Sequence, residues 1–307
     1  MRILEKYIPS TCGKAQLHTV TWYPENEPVA VIQIVHGMLE YTMRYDEMAK
    51  WFCQHGFVVC GADHLGHGSS LIDGHFGYFG EENTTQTLVD DVHAFRRVMQ
   101  EEFPSLPYFI FGHSMGSFIT RLYMTEYAQG LAGVILSGTS GPNPAAIVLK
   151  PVLRSMWKRH GGTHVNEKLA GLVSALNNKK FKHENTRNAW LSSDLSVAEQ
   201  YNSNPLTQFS FSVSALWTLM DMLEKISDKR WAGKVPTALP VLLTSGAEDP
   251  VGDFGEGVRT VYDRMMQCDP EDVDIQLYFD CRHELHNEII KSQVFSDWLS
   301  WFEAHRA

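Results

Sequence analysis

Gly112-His113-Ser114-Met115-Gly116 sets a serine hydroxyl between two glycines, each two residues away. The run before it, Tyr108-Phe109-Ile110-Phe111, is apolar and aromatic like a buried strand. Apolar residues in Ser117–Met124, after it, recur at helical spacing. Strand, sharp turn and helix is the context in which G-x-S-x-G exposes a nucleophilic serine. In that turn the N–H of Met115 points toward a developing oxyanion, and the glycines let neighbouring backbone come close. The pentad alone is a weak signal, because a Gly/Ser-rich turn without chemistry has the same letters. The flanks carry the reading.

A serine hydroxyl near neutral pH needs a base to take its proton and a carboxylate to orient that base. Asp249 follows the apolar run Val241–Ser245, and His283 follows the alternating run Val273–Phe279. The order Ser, acid, His, with each residue just past a strand, separates these two from the other downstream carboxylates and histidines. Glu248 and Asp253 compete as the acid, and the ordinary reading of either is a solvated loop residue. His286 competes as the base, but it lies toward the final helix and reads as a histidine hydrogen-bonded locally at a helix start. His113 reads as a structural, hydrogen-bonding histidine pointing away from the serine. Asp63, His64 and His67 suggest a metal site, but a Gly-rich turn whose polar side chains bond the backbone is the stronger reading. His283-Glu284-Leu285-His286 is one residue short of H-E-x-x-H, because Asn287 holds the second histidine's place. The second oxyanion donor is expected from the loop His36-Gly37-Met38, at Met38 N–H.

Elements that would carry these residues alternate along the chain. An opening hairpin is expected around Ile3–Ile8 and Leu17–Trp22, then buried strands at Ala30–Val35, Phe57–Ala62 and Val134–Leu136. Helices are expected at Tyr45–Gln54 and Thr84–Glu102. This alternation predicts an α/β fold with a mostly parallel central sheet covered by helices on both faces. Ligands bind such sheets at the carboxyl ends of the strands, where His36-Gly37-Met38, Asp63 and Ser114 all fall. From about Gly141 to Gly233 the alternation stops. Amphipathic helical patterns take over, marked by Leu149, Val152, Leu153, Met156 and Trp157, then by Leu169, Leu172, Val173 and Leu176, then by Leu216, Leu219, Met220 and Leu223. The expected organisation is a core of residues 1–141 and 233–307 with a helical cap, 142–232, inserted. Helices are also expected at Glu256–Met266 and Glu288–Glu303.

His36-Gly37-Met38-Leu39-Glu40 with Arg44-Tyr45, Asp63-His64-Leu65-Gly66-His67-Gly68-Ser69, the serine pentad, Asp249-Pro250-Val251-Gly252 and Arg282-His283-Glu284 together resemble the α/β-hydrolases of the monoacylglycerol lipase and lysophospholipase group. Serine aminopeptidases and some carboxylesterases share the broader family. The resemblance implies the α/β-hydrolase fold, Ser114, Asp249 and His283 as nucleophile, acid and base, and Met38 and Met115 as oxyanion donors. Asn204-Pro205-Leu206 with Phe209-Ser210-Phe211 is similar to a cap motif of bacterial members. Leu65 departs from the arginine common in the Asp-x-x-Gly-His-Gly loop, and residues 142–203 match no pattern. The cap largely makes the substrate choice in this family.

The bulk properties fit. In 307 residues, 44% are hydrophobic and 20% charged, ordinary values for a globular protein. A net charge of −10 without a basic cluster argues against nucleic acid as partner. No apolar run reaches the length of a membrane span, and Met1–Lys6 lacks the apolar core of a signal peptide. Cys12, Cys53, Cys60, Cys268 and Cys281 form no close-set framework, so reduced thiols in the cytoplasm are expected. The expected protein is a cofactor- and metal-independent serine esterase acting on a small-molecule or lipid ester such as a monoacylglycerol or lysophospholipid. A transient contact with a lipid surface is compatible with this, and the oligomeric state is not legible. The alternatives are a serine aminopeptidase, with Glu167, Glu184 or Glu199 binding a substrate amino terminus, a short-chain carboxylesterase, and a non-catalytic binding protein on the same fold.

Overall fold

The computed structural model describes residues 1–306, without the side chains of residues 170 and 172–174. The side chains of Leu172 and Val173, two of the apolar positions read from the sequence, therefore lie outside what is described. Strands β1 (Arg2–Pro9) and β2 (Gln16–Tyr23) form the opening antiparallel hairpin. After them come β3 (Ala30–Val35), α1 (Asp46–Gln54), β4 (Phe57–Ala62), α2 (Thr84–Glu102), β5 (Tyr108–His113), α3 (Met115–Tyr127) and β6 (Gly133–Ser137). Between β6 and β7 lie α4 (Pro144–His160), α5 (Glu167–Asn177), α6 (Leu195–Ser203) and α7 (Val213–Ser227), with short 3-10 turns among them. The chain ends with β7 (Val241–Gly246), α8 (Glu256–Met266), β8 (Val273–Tyr278) and α9 (Lys291–Ala304). The eight strands make one sheet in the order β1-β2-β4-β3-β5-β6-β7-β8. β2 pairs antiparallel with β4, and β4, β3, β5, β6, β7 and β8 run parallel.

Strand β3 shows why the centre of the sheet reads as a mostly apolar run, broken only by Gln33, whose amide is hydrogen-bonded to Val92 O and Tyr108 Oη. Val31 and Val35 pack on one face with Leu88 and Phe95 of α2 and Ile119 of α3. Ile32 and Ile34 pack on the other with Phe52 of α1 and Trp298 and Phe302 of α9. Every residue of β3 is buried, because helices cover both faces. Each fully buried large side chain in these two layers contributes roughly 2–3 kcal/mol. β8, at the edge, keeps only Val273 and Tyr278 buried.

In the stretch between β6 and β7 the helices start on side-chain caps. Asn143 accepts from Ala145 N with Pro144 in the first turn, Asp194 accepts from Ser196 N, and Ser212 accepts from Ala215 N. α7 buries a broad face against α3 and α4. The structure moves two expected boundaries. α1 begins at Asp46, after a 3-10 turn over Thr42–Tyr45. α9 begins at Lys291, because Glu288 is drawn back to accept from Arg282 N and from the N–H of Ser193. None of the helices among the described residues is long and apolar enough to cross a membrane, and all five cysteines are unpaired.

Candidate active site

Ser114 sits between β5 and α3 at φ 53° and ψ −122°. A positive φ is strained for a non-glycine residue, and it persists only where the surroundings impose it. Ser114 N donates to Ser137 O at the end of β6 (2.9 Å), fixing the turn to the sheet. Gly116 brings α3 against the end of β3: a Cβ there would lie 1.9 Å from Val35 O. Met115 is the first residue of α3, so its N–H has no intrahelical acceptor, and it stands at the positive end of the helix dipole.

Asp249 is completely buried past β7. Its Oδ1 accepts from Val251 N (2.9 Å) and its Oδ2 from Ser245 Oγ (3.1 Å). His283, past β8, places Nδ1 2.9 Å from Asp249 Oδ2. Nδ1–H directed at the carboxylate leaves Nε2 as the free, accepting nitrogen. Burial disfavours the charged ring, but the Asp249 carboxylate and its hydrogen bond outweigh that and raise the His283 pKa above the ordinary 6.5. Trp190 packs on the His283 ring, centroids 4.8 Å apart, and its carbonyl accepts from His283 N.

The turn after β3 is arranged donor by donor. Gly37 N donates to Glu40 Oε1, and Leu39 N donates to His67 Nε2 (3.2 Å). Met38 N, between them, has no acceptor among the described residues. Beneath the turn runs a buried charge network. Arg44 binds Glu40 (2.9 Å) and makes two 2.7 Å bonds to Glu284, and Tyr45 Oη donates to Glu40. Burial works against both carboxylates, but His113 and Arg44 hold Glu40 well below its usual range, and Arg44 holds Glu284 below it. The sequence motifs contain all these residues, but nothing in them announces that Arg44 bridges to a glutamate 240 positions on.

The competing candidates have other partners. Glu248 pairs with Lys180 (3.0 Å), and Asp253 is an exposed turn residue. His113 is hydrogen-bonded as expected, through Nδ1 to Tyr45 Oη and Glu40. Its side chain is buried, and its ring centroid lies 4.8 Å from that of His283. His286 departs from its expected local hydrogen bond. Both its ring nitrogens are buried without a partner, it stacks on Tyr45 at 4.5 Å, and burial lowers its pKa to about 3. Asp63 accepts from Thr42 N, Ser69 N and His18, while His64 and His67 bond the carbonyls of His36 and Leu65. These side chains hold backbone, and no cluster among the described residues has the make-up of a metal site.

Met38, Ser114 and His283 open onto one cavity of about 510 Å³, walled by Leu191, Phe209, Phe211 and Leu216. That volume suits a small organic ligand. Of the three glutamates considered for an amine site, Glu167 lines the cavity and accepts from Ser210 Oγ (2.9 Å), Glu184 pairs with Arg282 (2.7 Å), and Glu199 is exposed.

A mostly parallel eight-stranded sheet, a strained serine between a central strand and a helix, and an Asp–His pair past two later strands define an α/β-hydrolase. The chain belongs to the serine aminopeptidase, S33 family, which matches residues 26–290. A monoacylglycerol lipase of Mycolicibacterium smegmatis is 26% identical over 286 residues, 92% of this chain and 91% of that one. Human monoglyceride lipase is 28% identical over 297 residues, 93% of this chain and 86% of the human one. The crystal structure of a highly thermostable carboxyl esterase from Bacillus coagulans, in complex with glycerol, superposes with a TM-score of 0.92 at 34% identity, both chains being covered in full.

Proposed function

We propose that the chain hydrolyses carboxylic esters through an acyl-enzyme on Ser114. The reading rests above all on the 2.9 Å His283–Asp249 bond beside the cavity that Ser114 shares. His283 Nε2 takes the Ser114 proton as Oγ attacks the carbonyl carbon. The oxyanion that forms accepts from Met38 N–H and Met115 N–H. Collapse breaks the ester C–O bond, and His283 returns the proton to the departing alcohol. Water, deprotonated by the same nitrogen, then attacks the acyl-enzyme, and Ser114 leaves reprotonated. Asp249 keeps Nδ1–H oriented and stabilises the imidazolium at each transfer. No cofactor or metal enters these steps.

Monoacylglycerols, lysophospholipids or similar esters are the substrates, as the names of the relatives and the apolar cavity wall suggest. Residues 142–232 act as a cap on a core of 1–141 and 233–307 and select the acyl group. We assign the protein to the cytoplasm on its unpaired cysteines. The family's description names an aminopeptidase, but an amine site needs a free carboxylate at the cavity. Glu184 is committed to Arg282 and Glu199 lies on the surface, which leaves Glu167 at the cavity wall as the amine-site candidate; the lipase and esterase relatives make ester hydrolysis the better-supported reading. The test is a panel of p-nitrophenyl acyl esters of rising chain length, a monoacylglycerol, a lysophospholipid and an aminoacyl amide, with fluorophosphonate labelling alongside. Turnover of long-chain esters and labelling, both lost in Ser114→Ala, are expected. Preference for the amide would make the protein a peptidase, and no Ser114-dependent turnover would make it a binding protein.

A further inference from the structure

Leu39 follows Met38 and has φ 57°, a left-handed conformation that a leucine adopts only under constraint. Two hydrogen bonds impose it, from opposite sides. His67 Nε2, from the loop after β4, accepts from Leu39 N (3.2 Å), and the His67 tautomer is set by Nδ1–H donating to Leu65 O (3.1 Å). Tyr201 Oη, from α6 in the stretch between β6 and β7, donates to Leu39 O (2.9 Å). Tyr201 is itself held, because Thr207 Oγ1 and Gln208 Nε2 both donate to its carbonyl and Arg44 packs over its ring at 5.0 Å. A second tie leaves the end of the same helix, where Asn204 Nδ2 donates to Tyr41 Oη (2.7 Å).

We infer that Tyr201 is a positioning residue for the oxyanion hole: its hydroxyl, by holding the Leu39 carbonyl, fixes the turn that aims Met38 N–H at the reacting carbonyl. The inference rests on the proposed ester hydrolysis. Tyr201 also lines the cavity, so a substrate seated there bears on the residue that sets the donor. The Asn204-Pro205-Leu206 motif thereby acquires a role, since it ends α6 and anchors Tyr201 and Tyr41 in one stroke.

The test is Tyr201→Phe, which deletes one hydroxyl and keeps the ring. On a p-nitrophenyl ester it is expected to lower kcat about tenfold, the rate equivalent of one net hydrogen bond, with KM within about twofold. An acyl trifluoromethyl ketone, whose adduct carries the oxyanion, loses affinity by the same factor, while the matching non-electrophilic ketone alcohol binds unchanged. Tyr41→Phe cuts the second tie from the other side of the contact and lowers kcat in the same sense by a smaller factor. Equal weakening of ketone and alcohol, or a fall in thermal stability with kcat unchanged in both variants, would overturn the inference by reducing Tyr201 to packing. Failure of the underlying reading looks different, because the wild type would then turn over no ester at all.

Discussion

Gly138→Ala tests whether the placement of His283 is rate-determining for the chemistry. Gly138 follows β6 directly at φ 60°, and a Cβ there would lie 2.9 Å from His283 Cε1, 3.0 Å from Nδ1 and 3.4 Å from Asp249 Oδ2. The backbone cannot retreat, because Gly138 N is bonded to Thr244 O of β7 (2.9 Å). The imidazole must therefore give way, by ~0.5 Å to reach ordinary van der Waals separation, and it moves against a 2.9 Å bond to Asp249. Misplacement of a catalytic group by about 1 Å removes roughly 100-fold in rate, so kcat/KM should fall roughly 10- to 100-fold. The left-handed alanine separately costs about 1–2 kcal/mol, which lowers Tm by a few degrees. Gly74→Ala separates the two effects. Gly74 has φ 77° and open space where its Cβ would go. It should lose similar stability and keep full activity. Steady-state kinetics on a p-nitrophenyl ester and thermal unfolding of both variants decide the matter. If Gly138→Ala loses no more activity than Gly74→Ala, the clash with His283 is irrelevant and the reasoning fails.

Other outcomes follow from the same geometry. In the proposed mechanism the neutral ring of His283 is the base, and its pKa is raised above 6.5, so the acid limb of kcat/KM should lie above that value, activity rising with pH through it. Asp249→Asn removes the charge that raises it: kcat should fall by about 10⁴, and any residual activity should show its acid limb at lower pH. Glu248→Gln, at the rival carboxylate, should leave kcat within about twofold, and a loss comparable to that of Asp249→Asn would reassign the acid. Arg44→Met leaves Glu40 and Glu284, each about 2% exposed, without their shared cation and should cost about 3–5 kcal/mol in chemical denaturation. Adding Glu284→Gln should recover part of that loss. Both carboxylates titrate below their ordinary 4.5 in the folded chain. The stabilisation from this cluster should therefore be complete above that value and disappear as pH falls through the depressed pKa values.

The central strands were legible because burial on both faces leaves mostly apolar runs, and α2 and α8 were legible because their buried residues recur with helical period. α6 was not read as a helix: only Ala198 and Tyr201 of it are buried, too few for a periodic signal. The residues proposed for chemistry were chosen from their places past strand ends, a rule that depends on topology more than on side-chain identity. His286 escaped that logic. Its burial against Tyr45 and His113 comes from the packing of the 3-10 turn Thr42–Tyr45 and the end of β5 against the loop after β8, which local sequence does not encode. Arg44 and Tyr201 were illegible in role for the same reason, since each acts through a residue far away in the chain.

The stretch between β6 and β7 does more than line the cavity. Trp190 O and Leu191 O accept from the N–H groups of His283 and Glu284. Glu288 accepts from Ser193 N, and Arg282 reaches back to Ala189 O, Ser192 O and Glu184. The loop that carries His283 is thus held on one side by the sheet, through Asp249, and on the other by residues 184–193. Tyr201 meanwhile reaches from the same stretch to the turn at Met38. Both parts of the proposed reaction centre, His283 and the turn at Met38, therefore take part of their alignment from the stretch between β6 and β7. Changes to residues 184–204 should register in kcat, whereas changes confined to α4, whose Ile147, Val148 and Val152 face solvent, should leave kcat on soluble esters unaltered. On the proposed reading, substrate choice and transition-state geometry are coupled, because the stretch between β6 and β7 supplies the wall for the first and the struts for the second.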